Sequence, residues 1–280
     1  MTDSDNIDSG DIDSGDVDSG DVGAVLYAVE AGVATITLNQ PESRNSMTTP
    51  LMNGLGDRLA EATADDAVRT IVLTNSGNTF CAGANLKQND TEPPRHHLVG
   101  IFEMMLDGPK PVVGRIAGHC TGGGVGLAAG CDISIAADDV KLGFTEVRIG
   151  VAPAIISVVC LPKLRRADAS ELFLSGERIT SGRAAEVGLL NRAVPRDELD
   201  KAIEVLLGKL VAGGPNALAA AKQLISTVPD MDRSDAFGST AERSAALFRT
   251  DEAKAGMAAF RERRPAPWVP AERVAETTDR

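Results

Sequence analysis

Two apolar stretches that read as strands, Pro111 to Ile116 and Cys131 to Ala137, enclose three consecutive glycines, Gly122-Gly123-Gly124, which lead into a short apolar helix. The same order stands upstream. Val25 to Glu30 and Val33 to Leu38 alternate around the turn residues Ala31-Gly32, which signals a hairpin. Thr48-Thr49-Pro50 then supplies a hydroxyl cap and a first-turn proline for a helix reaching about Ala64. Arg69 to Thr74 reads as a buried strand, SGNTFCAGANLKQND as a loop, and His97 to Leu106 as a helix. Strand and helix in regular alternation argue for an α/β core. From Arg166 onward the pattern reads as helical throughout, with amphipathic segments over 197–212, 215–228 and 234–264. The expected organisation is an N-terminal extension over 1–22, a βα core carrying the site over 23–165, and a helical C-terminal part over 166–280.

Charge says less about partners than its total suggests. The 280 residues carry a formal −12, but MTDSDNIDSGDIDSGDVDSGDV at the N-terminus holds eight Asp and no base, so the remainder carries only −4. That repeat is too polar to bury a face and is expected to be a disordered acidic extension. With no basic stripe and 3% aromatic residues, nucleic-acid binding is not expected. No apolar run approaches the roughly 18 residues of a membrane span, and no basic start of a secretory signal is visible, so a cytoplasmic protein without membrane attachment is expected. Cys81, Cys120, Cys131 and Cys160 are scattered, and with three histidines they suggest no metal site.

Two segments place small residues just ahead of a helix: Phe80-Cys81-Ala82-Gly83-Ala84-Asn85-Leu86 and Gly122-Gly123-Gly124-Val125-Gly126. Helix starts present unpaired N–H groups with a partial positive charge, and small residues let a ligand approach them. Two such donors on one oxygen form an oxyanion hole, each contributing about 2.7–4 kcal/mol to a transition state in which a carbonyl becomes an enolate.

With these loops in hand, the chain resembles the crotonase, or enoyl-CoA hydratase/isomerase, superfamily over residues 24–268. The resemblance rests on ITLNQPESRNSM (36–47), FCAGANLK (80–87), GHCTGGGVGLAAGCDISIA (118–136), LGFTEVRIGVAP (142–153) and AGMAAFRERRPAPW (255–268), five motifs in family order. It implies a spiral of ββα units with a helical trimerisation region, assembled as a homotrimer or a dimer of trimers. The implied substrates are acyl-CoA thioesters, with coenzyme A carried by the substrate and no separate cofactor. By motif position, the N–H groups of Ala84 and Gly123 hold the thioester oxygen and Glu146 is the catalytic residue. Arg44, Ala82, Gly83, Asn85, Leu86, Lys87, Gly122, Gly126 and Thr145 form the implied substrate-binding set, and Arg261, Arg263 and Arg264 are candidate phosphate neighbours.

The chain departs from the family's hydratase pattern at one place. That pattern has two glutamates, and the position of the first is Gly126, which has no side chain to move a proton. FTEVRIGVAPAIIS departs from the common wording after Gly150 and resembles a branch that includes methylglutaconyl-CoA hydratase-like proteins. The first expectation is therefore an enoyl-CoA hydratase of fatty acid metabolism working with one carboxylate. Its alternatives are a Δ3-Δ2-enoyl-CoA isomerase, which needs only one base, and a non-catalytic acyl-CoA binder. Cys120 or Thr121 could assist the proton transfer but are better read as packing and loop-bonding residues. Asn85 stands where the family often has an acid; Glu103 reads as helix surface, His119 as a hydrogen-bonded loop residue, and Ser157 and Pro153 as pocket-shaping.

Overall fold

The computed structural model describes residues 23–86 and 92–273. The acidic repeat over 1–22 and the end of the C-terminal part over 274–280 lie outside the described residues.

Two strands and a helix repeat four times. The first turn is β1 (Val25–Glu30), β2 (Val33–Leu38) and α1 (Thr49–Ala64); the second is β3 (Thr70–Asn75), β4 (Thr79–Cys81) and α2 (Leu98–Asp107). The third comprises β5 (Val112–Ile116), β6 (His119–Thr121) and α3 (Gly123–Gly130), and the fourth β7 (Ile133–Ala137), β8 (Lys141–Gly143) and α4 (Ala154–Cys160). This is the expected ββα spiral.

Local chemistry accounts for the first turn. Ala31 and Gly32 both take positive φ (46° and 80°), the twist that a two-residue hairpin requires. The Thr48 side chain accepts from the Leu51 N–H and caps α1, whose Leu51, Met52, Leu55, Leu59 and Ala62 are buried on one face.

From the second turn on, the first strand of each unit enters one sheet and the second strand enters another. The large sheet has the order β1-β2-β3-β5-β7 and is parallel after the hairpin; the small one has β4-β6-β8, also parallel. Every residue of β3 is buried, as a strand covered on both faces must be. The small sheet was hidden in the sequence because its strands are three residues long, too short for alternation to register.

Beyond Arg166 the structure corrects the expectation of helix throughout. After α5 (Arg166–Ser175), β9 (Arg178–Thr180) adds antiparallel to β8; after α6 (Ser181–Glu186), β10 (Arg192–Val194) adds parallel to β7. α7 (Leu199–Val211) and α8 (Pro215–Thr227) follow as read. The segment read as one helix over 234–264 is two, α9 (Arg233–Phe248) and α10 (Asp251–Arg261), because the Thr250 hydroxyl accepts from the Ala253 N–H and opens a new helix.

One buried polar node fastens α8 to the core. Lys222, 7% exposed, donates to the carbonyls of Met105 and Lys110 and lies 2.9 Å from the Asp132 carboxylate. Asp132 in turn accepts from the Val112 N–H at the start of β5.

Candidate active site

The small sheet positions the site. Its register sets Cys81 beside Cys120 and Thr121 beside Gly143, so β4, β6 and β8 end along one edge. Their next residues are Ala82–Leu86, Gly122-Gly123 and Phe144–Glu146. Three segments far apart in the chain meet there because their strands are neighbours.

The first loop is tied down around Ala84. The Met47 N–H donates to the Gly83 carbonyl at 2.8 Å, Ala82 N–H to the Arg44 carbonyl at 3.1 Å, and Thr121 Oγ1 to the Ala82 carbonyl at 3.0 Å. In the second loop each glycine has its own requirement. Gly122 sits at φ 54°, ψ −125°, a conformation essentially confined to glycine. A methyl on Gly123 would lie 2.6 Å from Met47 Cε, and one on Gly124 would lie 2.0 Å from the Cys81 carbonyl oxygen. The loops touch: a methyl on Gly83 would lie 3.0 Å from the Gly123 nitrogen. Gly123 is the first residue of α3, so its N–H has no partner within the helix. Among the described residues, no acceptor stands on the N–H of Ala84 or Gly123. Both residues reach the surface of the site, Ala84 exposed and Gly123 half-buried.

Glu146 lies against this turn. The Cβ direction of Gly122 ends 3.2 Å from Glu146 Oε1, while Oε2 is buried with no hydrogen-bond partner among the described residues. Burial pushes the Glu146 carboxyl above the ordinary glutamate range, against a smaller lowering from its own backbone N–H. The site thus joins two amide donors to one poorly solvated carboxylate, the parts needed to polarise a carbonyl and move a proton beside it.

Gly126 has a different setting. It is buried in α3, and a methyl there would lie 2.5 Å from Ile156 Cγ2 and 2.9 Å from Phe102 Cζ. The space into which a side chain would grow is filled by α4 and α2. Neither assisting candidate is uncommitted: Cys120 is fully buried with Sγ toward the Gly118 carbonyl, and Thr121 holds the Ala82 carbonyl.

Leu86 and Thr145 line a cavity of about 670 Å³ with Arg148, Ile149, Gly176, Glu177 and Arg178. Arg44 is exposed in the left-handed region (φ 58°), and Asn85 is half-buried beside Ala84. Lys87 lies outside the described residues. Arg264 pairs with Glu262, and Arg261 lies at the end of α10 with Met257 and Phe260. His119 Nδ1 accepts from the Lys141 N–H and ties β6 to β8; Ser157 Oγ donates to the Ala154 carbonyl, Pro153 is buried ahead of α4, and Glu103 is exposed.

Two supporting residues escaped the sequence reading. Asn45, fully buried, accepts from the Gln40 N–H and donates to the Ser76 and Thr79 carbonyls, which holds the Arg44–Met47 turn to the start of β4. Its signal was present as an amide residue able to take positive φ (49°) directly after Arg44. Met47, which bridges to Ala84 and packs on Gly123, had no signal beyond being apolar.

Comparison with known proteins gives a consistent result. The profile described as enoyl-CoA hydratase/isomerase matches residues 28–270. A Thermus thermophilus protein carrying the enoyl-CoA hydratase name is 33% identical over 247 residues, covering 85% of this chain and 98% of its own. The short-chain-enoyl-CoA hydratase of Clostridium acetobutylicum is 28% identical over 248 residues, covering 86% and 95%. The crystal structure of an enoyl-CoA hydratase from Bacillus anthracis superposes with a TM-score of 0.81 at 28% identity, covering 88% of this chain and 99% of that one.

Proposed function

Because the chain belongs to the enoyl-CoA hydratase/isomerase family, we propose that it hydrates a 2-enoyl-CoA with Glu146 as its one catalytic carboxylate. The observation that carries this reading is a Glu146 oxygen without a partner, beside two amide donors without acceptors, among the described residues. In the proposed reaction the N–H groups of Ala84 and Gly123 bind the thioester oxygen and draw electron density from Cβ. Glu146 takes a proton from water as the water oxygen bonds to Cβ, and then returns that proton to Cα of the enolate formed, so that the carboxylate is regenerated. The donors stabilise the oxygen most when it carries the enolate charge, so their effect falls on the rate. Coenzyme A belongs to the substrate, and the reading calls for no metal or second cofactor.

A second reading is favoured by the walled-in Gly126. With no room for a second carboxylate, one base could instead remove a proton at Cα of a 3-enoyl-CoA and return it at Cγ. Purified protein given a 2-enoyl-CoA and a 3-enoyl-CoA separates the two: conversion of the second without hydration of the first overturns the hydratase reading. If Glu146→Ala leaves all turnover unchanged, the catalytic role assigned to Glu146 fails; an unmodified protein that binds both thioesters and converts neither is an acyl-CoA binder instead.

The proposal includes self-assembly into a homotrimer or a dimer of trimers, for which the exposed Phe237, Phe248 and Phe260 on α9 and α10 offer an apolar surface. It also places the reaction in the cytoplasm, within fatty acid metabolism. The four cysteines, all buried and unpaired, suit a reducing compartment. Among the described residues no single helix is long and apolar enough to cross a membrane.

A further inference from the structure

The cavity lined by Leu86 and Thr145, the neighbour of Glu146 in the chain, carries two arginines that the reaction described above does not use. Arg148 follows Glu146 in the same 3-10 turn, Thr145–Ile149. Arg178 opens β9, which pairs with β8 so that Arg178 stands beside Gly143. Both stems are seated by glycines. A methyl on Gly176 would lie 3.1 Å from Arg148 Nε, and one on Gly143 would lie 3.0 Å from Arg178 Cγ. Arg148 Nη2 also donates to the Ser175 carbonyl.

Among the described residues neither guanidinium has a carboxylate at ion-pair distance, as is true of several other arginines of the chain. Glu177 lines the same cavity, so the three charged residues among its described lining sum to one positive charge, which matches one carboxylate better than a doubly charged phosphate. Direction agrees with charge. Across the sheet edge the order is β4 and β6 with the amide donors, β8 with Glu146, then β9 with Arg178. Strands lie about 4.8 Å apart, so the span from β6 to β9 is about 10 Å. A thioester held over β4 and β6, with its reacting carbons facing Glu146, points its next atoms toward β9.

We propose that Arg148 and Arg178 form an anion subsite for a carboxylate at the far end of the acyl group, so that the preferred substrates are CoA thioesters of dicarboxylic acids. The proposal rests on the acyl-CoA reading given above. The same cations could face a phosphate of coenzyme A, and the test distinguishes the two.

The experiment compares trans-2-hexenedioyl-CoA with trans-2-hexenoyl-CoA in the full-length protein. The ratio of their kcat/KM values is expected to favour the diacid. It should fall about tenfold in Arg178→Gln and in Arg148→Gln, the weight of one charged hydrogen bond, and recover in part in Arg178→Lys. An unchanged ratio in both variants overturns the proposal. So does an equal loss for both substrates that vanishes with 3′-dephospho-CoA thioesters, since that puts the phosphate in the subsite. Calorimetric titration of Glu146→Gln separates the two levels of the argument. Failure to bind either thioester defeats the acyl-CoA reading, whereas equal binding of both defeats only the subsite.

Discussion

At the scale of single residues, the proposed role of Glu146 sets reactivity against stability. Its raised value means that the folded chain holds this proton more tightly than the unfolded chain does. That contribution is present below the unfolded glutamate value and is lost as pH rises through the folded one. Glu146→Gln should therefore raise Tm at neutral pH, by about 2–4 °C for each kcal/mol of desolvation relieved. The gain should shrink in acid, as thermal melts from pH 4 to pH 8 would show. The same variant should lose about 10²–10⁴ in turnover. Wild-type kcat/KM should rise with pH through a value above that of an ordinary glutamate, because the base must be ionised. Gly126 invites the opposite experiment. Gly126→Glu should restore no second acid and should cost about 1–3 kcal/mol or more through overpacking against Ile156 and Phe102. Adding Ile156→Ala should recover part of that loss in a denaturant titration. The identity of residue 126 was plain in the sequence, but the side chains occupying its space come from α2 and α4, and a sequence does not display such distant packing. Asn45 is the reverse case: its turn chemistry was legible, and its buried partners were not.

At the scale of elements, legibility followed length and punctuation. The β1–β2 hairpin and α1 carried complete signals, Ala31-Gly32 for the turn and Thr48 with Pro50 for the helix start, and both formed where read. The three-residue strands β4, β6, β8, β9 and β10 had no room for a pattern; they exist because a neighbouring strand offers them hydrogen bonds. α8 shows an element held by a tertiary contact that its own sequence does not announce. Lys222 sits in a helix that otherwise reads as amphipathic, yet it binds two carbonyls and Asp132 inside the protein. Lys222→Ala should leave the Asp132 charge and those carbonyls short of a partner and destabilise the fold by about 3 kcal/mol. Hydrogen exchange should then show α8 opening ahead of the large sheet.

For the whole molecule, the family resemblance conveyed the spiral, and strand alternation alone conveyed only an α/β core. Assembly is the part of the proposal that belongs to this scale. Phe260 is 85% exposed, Leu174 and Ile225 78%, and Phe237 70%, apolar surface that the proposed assembly would cover. Light scattering should give a mass of three or six chains, and Phe237→Asp with Phe260→Asp should lower it toward that of a single chain. A monomeric mass for the unmodified protein would count against the proposed assembly.

The strand orders β1-β2-β3-β5-β7-β10 and β4-β6-β8-β9 both run in the order of synthesis. Each new strand therefore joins an open edge, and none has to be threaded between two already paired. A chain emerging from the ribosome can lay down this architecture turn by turn, each unit finding its template in the one before it. Ala84, Gly123 and Glu146 belong to successive turns, so the proposed reaction centre is completed only when the growing edge reaches β8, and no earlier fragment holds all three.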